Sequence, residues 1–154
     1  MAPTYEKSYI HRVPNPPPFV EDYLLALLAR ASHAVSADFH ARLKARGVAV
    51  PAWRVLASLS GQPRSVGELA NFCLMQQPTM SKLLDRMAAE GLVRRTRSGR
   101  ETRIALTEQG QALAEALVAD ARAHEAALLS RHAEAAPTLK ALLKALIPPP
   151  PGAS

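Results

Sequence analysis

Apolar residues in this chain recur mostly every three or four positions, a spacing that predicts a structure built of helices. Val20, Tyr23, Leu24, Leu27, Leu28, Ala31, Val35, Phe39 and Leu43 keep it from Phe19 to Arg46, predicting one long helix that Gly47 ends. A second helix, Pro51 to Leu59, opens on a proline at a first-turn position and carries Trp53, Val55, Leu56 and Leu59. Ser65-Val-Gly-Glu68 has the capping-box pattern, in which hydroxyl and carboxylate satisfy orphan N–H groups reciprocally. It starts a short helix with Leu69, Ala70 and Phe72. A break around Cys73 to Gln77 separates this helix from another, Pro78 to Glu90, closed by Gly91. Two short helices joined by a tight turn form a helix-turn-helix unit.

The period then changes. Leu92 to Thr96 reads as a strand and Arg103 to Leu106 as its partner, with turn chemistry in Arg97-Ser98-Gly99-Arg100. Thr107 caps a long helix through Leu129, whose apolar side holds Leu113, Leu117, Val118, Ala121, Leu128 and Leu129. A last helix, Pro137 to Ile147, carries a stripe of Leu139, Leu142, Leu143, Leu146 and Ile147, for which a second subunit is the natural cover. The expected fold is mostly α with a small β-wing. A Pro-rich arm spans 1–18, dimerisation helices span 19–46 and 107–147, a winged helix-turn-helix domain spans 51–106, and a Pro-rich tail spans 148–154.

Composition narrows the function classes. A chain of 154 residues suits one domain, or a small domain plus an oligomerisation element. Cys73 is the only cysteine, so no intrachain disulfide forms. It has no adjacent base or second cysteine, and a buried structural thiol is expected rather than a redox sensor. The five histidines show no metal-ligand spacing, so neither a metal site nor a cofactor is expected. No nucleophile-base pairing or phosphate-binding glycine loop points to an enzyme. The sequence shows no secretory h-region and no apolar run of about 20 residues, so a cytoplasmic protein without a membrane segment is expected.

The net charge of +6 gains meaning from its placement. On the 78–90 helix, Met80, Leu83, Leu84 and Met87 share one face, leaving Pro78, Thr79, Ser81, Lys82, Asp85 and Arg86 on the rest. Gln76 and Gln77 suit pairing with adenine, and Lys82 and Arg86 suit guanine or phosphate. Alone, that helix reads more readily as an ordinary amphipathic surface helix whose Lys and Arg are merely solvated. The following hairpin gathers Arg94, Arg95, Arg97, Arg100 and Arg103 against Glu101 alone, a crowding that favours an external anion. Arg97 and Arg100 are expected at the hairpin tip, positioned for a minor groove, with Arg95 as a further contact.

The stretch Gln77-Pro-Thr-Met-Ser-Lys-Leu-Leu-Asp-Arg-Met-Ala-Ala-Glu-Gly-Leu-Val93, the pair Arg94-Arg95 and Gly99-Arg-Glu-Thr-Arg-Ile-Ala-Leu-Thr-Glu-Gln-Gly110 resemble the multiple-antibiotic-resistance-regulator (MarR) family. The resemblance runs from about Phe19 to Ile147. It implies a homodimer reading palindromic double-stranded DNA, often as a repressor released by a small aromatic ligand. By the same analogy a ligand pocket would draw on His33, Ser36, Phe39, His40 and Trp53. One departure stands out: the family's wing carries Asp-x-Arg, and here the triplet is Ser98-Gly99-Arg100, without the carboxylate. The competing readings are a ligand-independent or redox-responsive DNA-binding regulator, an architectural DNA-binding protein, and a module binding RNA or acidic proteins.

Overall fold

A computed structural model describes residues 18–99 and 101–148. The expected N-terminal arm, apart from Pro18, lies outside the described residues, as do Arg100 and the tail beyond Pro148. The chain divides into two units, Met1–Val35 and Ser36–Ser154.

In the first unit, the expected single helix is interrupted. A one-turn helix α1 (Phe19–Asp22) stops at Tyr23, whose φ of −73° and ψ of 119° are extended, and α2 (Leu24–Ala45) begins after it. The Tyr23 ring stacks on that of Phe19 with centroids 4.7 Å apart. The apolar spacing is the same on both sides of the break, so periodicity does not report one non-helical ψ.

The second unit carries the rest of α2, then α3 (Val50–Leu59), α4 (Val66–Cys73) and α5 (Gln77–Ala89). Strands β1 (Val93–Ser98) and β2 (Glu101–Leu106) follow, then α6 (Glu108–Leu129), a 3-10 turn at Ser130–His132 and α7 (Ala136–Leu146). Leu43, Val55, Leu56, Leu69, Met80, Leu84, Met87, Ile104 and Leu117 fill the core between these elements. Each such side chain contributes about 1.5–3 kcal/mol by leaving water.

Local chemistry sets the boundaries. The Ser65 hydroxyl accepts from the Glu68 N–H at 3.2 Å, and the Glu68 carboxylate accepts from the Ser65 N–H at 2.7 Å, which completes the expected capping box. Thr107 caps α6 by accepting from the Gly110 N–H at 3.0 Å, while its own hydroxyl donates to the Gly91 carbonyl after α5. The wing is an antiparallel pair in which Val93 faces Leu106, Arg95 faces Ile104 and Ser98 faces Glu101. That register leaves only a two-residue connection, with Gly99 at φ 63°, a value that suits glycine. Arg97, expected in the turn, therefore sits within β1 opposite Thr102. Arg64 adds a short third partner: its N–H donates to Ile104 at 3.0 Å and its carbonyl accepts from Ile104 at 2.7 Å.

Two backbone positions carry opposite expectations. Gly110 lies so close to the Leu92 carbonyl that a Cβ would collide with it, which explains glycine in the Leu106-Thr107-x-x-Gly110 motif. Leu74, in the turn between α4 and α5, holds the left-handed conformation at φ 55° with 87% of its surface exposed. We expect Gly110→Ala to lower stability by about 1–3 kcal/mol, because backbone rather than a flexible side chain must yield. Leu74→Gly should raise it, by up to about 1 kcal/mol, since it removes the left-handed penalty and little packing. Thermal unfolding of the two variants beside the wild type checks both signs.

Candidate nucleic-acid interface

The rotation of α5 follows from its buried side. Met80, Leu83, Leu84 and Met87 enter the core, so the helical period turns Pro78, Lys82, Asp85 and Arg86 outward. Gln76 is the N-cap residue without a side-chain capping bond, and Gln77, Pro78 and Thr79 form an exposed first turn. Ser81 is half-buried. The residues expected to meet DNA from this helix are thus on one exposed surface, apart from Ser81 at its margin.

The wing is less crowded electrostatically than its sequence implies. Arg95 reaches back to α5 and donates to Asp85 at 2.8 Å. Arg103 pairs with Glu101 at 3.1 Å, lies 3.7 Å from Glu68, and donates to the Pro63 carbonyl at 3.2 Å. Glu101 is therefore not the only opposing carboxylate, because Asp85 and Glu68 arrive from outside the hairpin. Among the described residues, Lys82, Arg86, Arg94 and Arg97 make no ion pair and are exposed. By strand alternation Arg97 leaves the hairpin on the same face as Arg95, and Arg94 on the other. Arg100, the other expected tip residue, lies outside the described residues.

The residues proposed for a ligand fall in both units. His33 is an exposed residue of the first. In the second, Phe39 is buried and meets Trp53 edge-on, with centroids 5.3 Å apart. The His124 ring, from α6, lies 5.6 Å from Phe39, and its Nε2 is 3.8 Å from Asp38, which also holds Arg42 at 2.8 Å. Ser36, His40 and Trp53 are half-buried. The approach of His124 to Phe39 and Asp38 has no signal in the sequence, because no local spacing ties it to α2.

The MarR family model matches residues 46–104. A MarR family transcriptional regulator of Silicibacter pomeroyi DSS-3 is 46% identical with a TM-score of 0.77, over 84% of this chain and 99% of that one. The chain belongs to the MarR family. It is a DNA-binding transcriptional regulator with a winged-helix fold, in a family of regulators rather than enzymes. A second MarR family regulator of Silicibacter pomeroyi is 27% identical at a TM-score of 0.74, covering 86% of this chain and 91% of that one. NadR, solved in complex with 4-hydroxyphenylacetate, is 25% identical at 0.71, covering 77% and 88%. No curated protein sequence matches the chain.

Among the described residues of this MarR protein, two titratable groups depart from their usual behaviour. Burial pushes the Cys73 thiol up, against smaller opposing effects of Ser58 and Arg54, so the sulfur stays protonated rather than becoming a reactive thiolate. Glu68 is shifted down, chiefly by the Ser65 N–H it accepts from, with help from the Ser65 hydroxyl, Arg103 and Arg64 and against a desolvation penalty. A depressed carboxylate adds stability above the usual glutamate range and loses it as pH falls through the lowered value. Glu68→Ala should therefore destabilise the protein by about 0.3–1.5 kcal/mol at neutral pH. The gap from wild type should close in acid. Urea titrations at several pH values check this, and a gap independent of pH would remove the carboxylate from the cap.

Proposed function

We propose that this regulator works in the cytoplasm as a homodimeric repressor that binds palindromic duplex DNA and leaves it when a small aromatic acid binds. The observation that carries the reading is a set of cations without an ion pair among the described residues: Lys82 and Arg86 on the outward face of α5 and Arg97 on the wing beside it. An α-helix fits a major groove, where Gln76, Gln77, Thr79 and Ser81 suit base edges and Arg86 suits guanine. Pro78 sets the helix start among them. Arg97 suits phosphate at the flank, and the resemblance alone adds Arg100 at the hairpin tip.

Dimerisation is supported by apolar surface that water does not favour. Leu139, Leu142, Leu143, Leu146 and Ile147 are exposed along α7, and Phe19, Val20, Tyr23 and Leu24 are exposed at the start of the first unit. A second copy is the occupant the family resemblance supplies for such rows. For the effector, Trp53 and Phe39 offer aromatic edges, while His40, Ser36 and His124 offer polar groups for a carboxylate or phenol. NadR's complex with 4-hydroxyphenylacetate makes that acid the first probe.

Fluorescence anisotropy on the DNA upstream of the regulator's own gene, with and without 4-hydroxyphenylacetate, tests the proposal. Binding should prefer the palindrome over random duplex and fall steeply with salt. Arg86→Ala should cost about 1–3 kcal/mol on the palindrome and far less on random DNA, because a base contact carries sequence information. Equal losses on both DNAs would move Arg86 from base reading to phosphate. Binding that no aromatic acid releases would favour a ligand-independent regulator.

A further inference from the structure

Asp85 is the only acidic residue of α5, and it lies on the surface that this reading turns toward DNA. It projects from the same outward side as Lys82, three residues earlier, and Arg86, its immediate neighbour. An uncompensated carboxylate there would repel phosphate. Arg95 compensates it through one contact, Nη2 to Oδ1 at 2.8 Å, across ten residues of sequence and from another element. The pair is open to solvent, with the arginine side chain 51% and the aspartate 67% exposed. Ion pairs this exposed add little to folding, so its main effect belongs to what this surface binds.

We propose that Asp85 is a specificity-determining residue: by holding Arg95 it withholds a cation from phosphate and fixes the first wing strand against the recognition helix. The inference rests on the DNA-interface reading above. In a regulator surrounded by non-specific duplex, each additional free arginine strengthens binding to every sequence alike. An arginine neutralised by the recognition helix itself adds geometry without adding that uniform attraction. Arg95 is then a positioning residue, and the wing's free charge is left to Arg94 and Arg97 among the described residues.

The test is a cycle of Asp85→Asn, Arg95→Ala and the double variant, each measured for DNA binding across a range of salt on palindromic and random duplexes. Asp85→Asn frees Arg95, so binding to random DNA should tighten and the salt slope steepen by about 0.9 for each freed arginine. The preference for the palindrome should shrink. Arg95→Ala leaves Asp85 bare and should weaken binding to both duplexes. The double variant, with the same net charge as the intact pair, should return to the wild-type slope. If Arg95 instead touches phosphate directly, Asp85→Asn will leave the slope unchanged and the double variant will stay as weak as Arg95→Ala; either result overturns the proposal. Wild-type protein that binds neither duplex would remove the interface reading, and this inference with it. A purely structural pair would shift thermal unfolding without moving the salt slope, which also overturns it.

Discussion

The burial of Met80, Leu83, Leu84 and Met87 fixes how α5 is rotated, and most of the surface chemistry follows from that rotation. These four side chains lock into a core shared with Val55, Leu56, Leu69 and Ile104. Turning the helix by one residue would take apolar side chains out of that core and put polar ones in. The penalty for such a change far exceeds any gain at the surface. Lys82, Asp85 and Arg86 therefore point outward because of what the other side of the helix must do. The capping box ahead of α4 and the Thr107 bridge to Gly91 then hold the flanking elements to the same frame.

Charge on the wing is managed in two different ways. Arg103 is consumed by the protein: Glu101, Glu68 and the Pro63 carbonyl surround it, tying β2 to the start of α4. Arg97 has no such partner among the described residues, although it leaves the hairpin on the same face as Arg95. The hairpin is thus a mixture of structural and available cations. Counting arginines overstates its attraction for an anion. The carboxylate missing at Ser98 is relevant here, because Asp85 supplies a negative charge to the first strand from another element.

Features set by neighbouring residues were legible in the sequence. The Ser65–Glu68 box, the Thr107 cap, the apolar face of α5 and the ends of α5 and α6 all depend on spacings of a few residues, and the sequence places them within a residue or so of where they lie. The helix break at Tyr23 was not legible, because one extended ψ leaves the apolar rhythm intact. Turn chemistry in Arg97-Ser98-Gly99-Arg100 predicts a longer turn, whereas the strands pair as far as Ser98 and Glu101, with Gly99 at a positive φ. The pairs Arg95–Asp85 and Arg103–Glu68, the bridge from Arg64 to Ile104 and the approach of His124 to Phe39 all join separate elements. No local pattern encodes them.

Physical cost separates the structural groups from those available for function. Where a charged or polar group is satisfied internally, as with Arg103, Glu68 and Thr107, the fold accounts for it. Among the groups that the fold leaves unaccounted for are Lys82, Arg86, Arg94 and Arg97, which have no ion pair among the described residues, and the exposed leucines of α7. An isolated chain gains nothing from either: like charges repel, and apolar rows order water around them. The two kinds of surface call for two kinds of partner, a polyanion for the first and an apolar surface for the second. The dimer on duplex DNA that we propose would supply both, because joining two copies through their apolar rows would present two α5 helices to one duplex. Bringing two sets of cations to the same polyanion also makes binding steeper in salt than one copy alone. A residue such as Asp85, which limits the charge each copy brings, then has its effect counted twice.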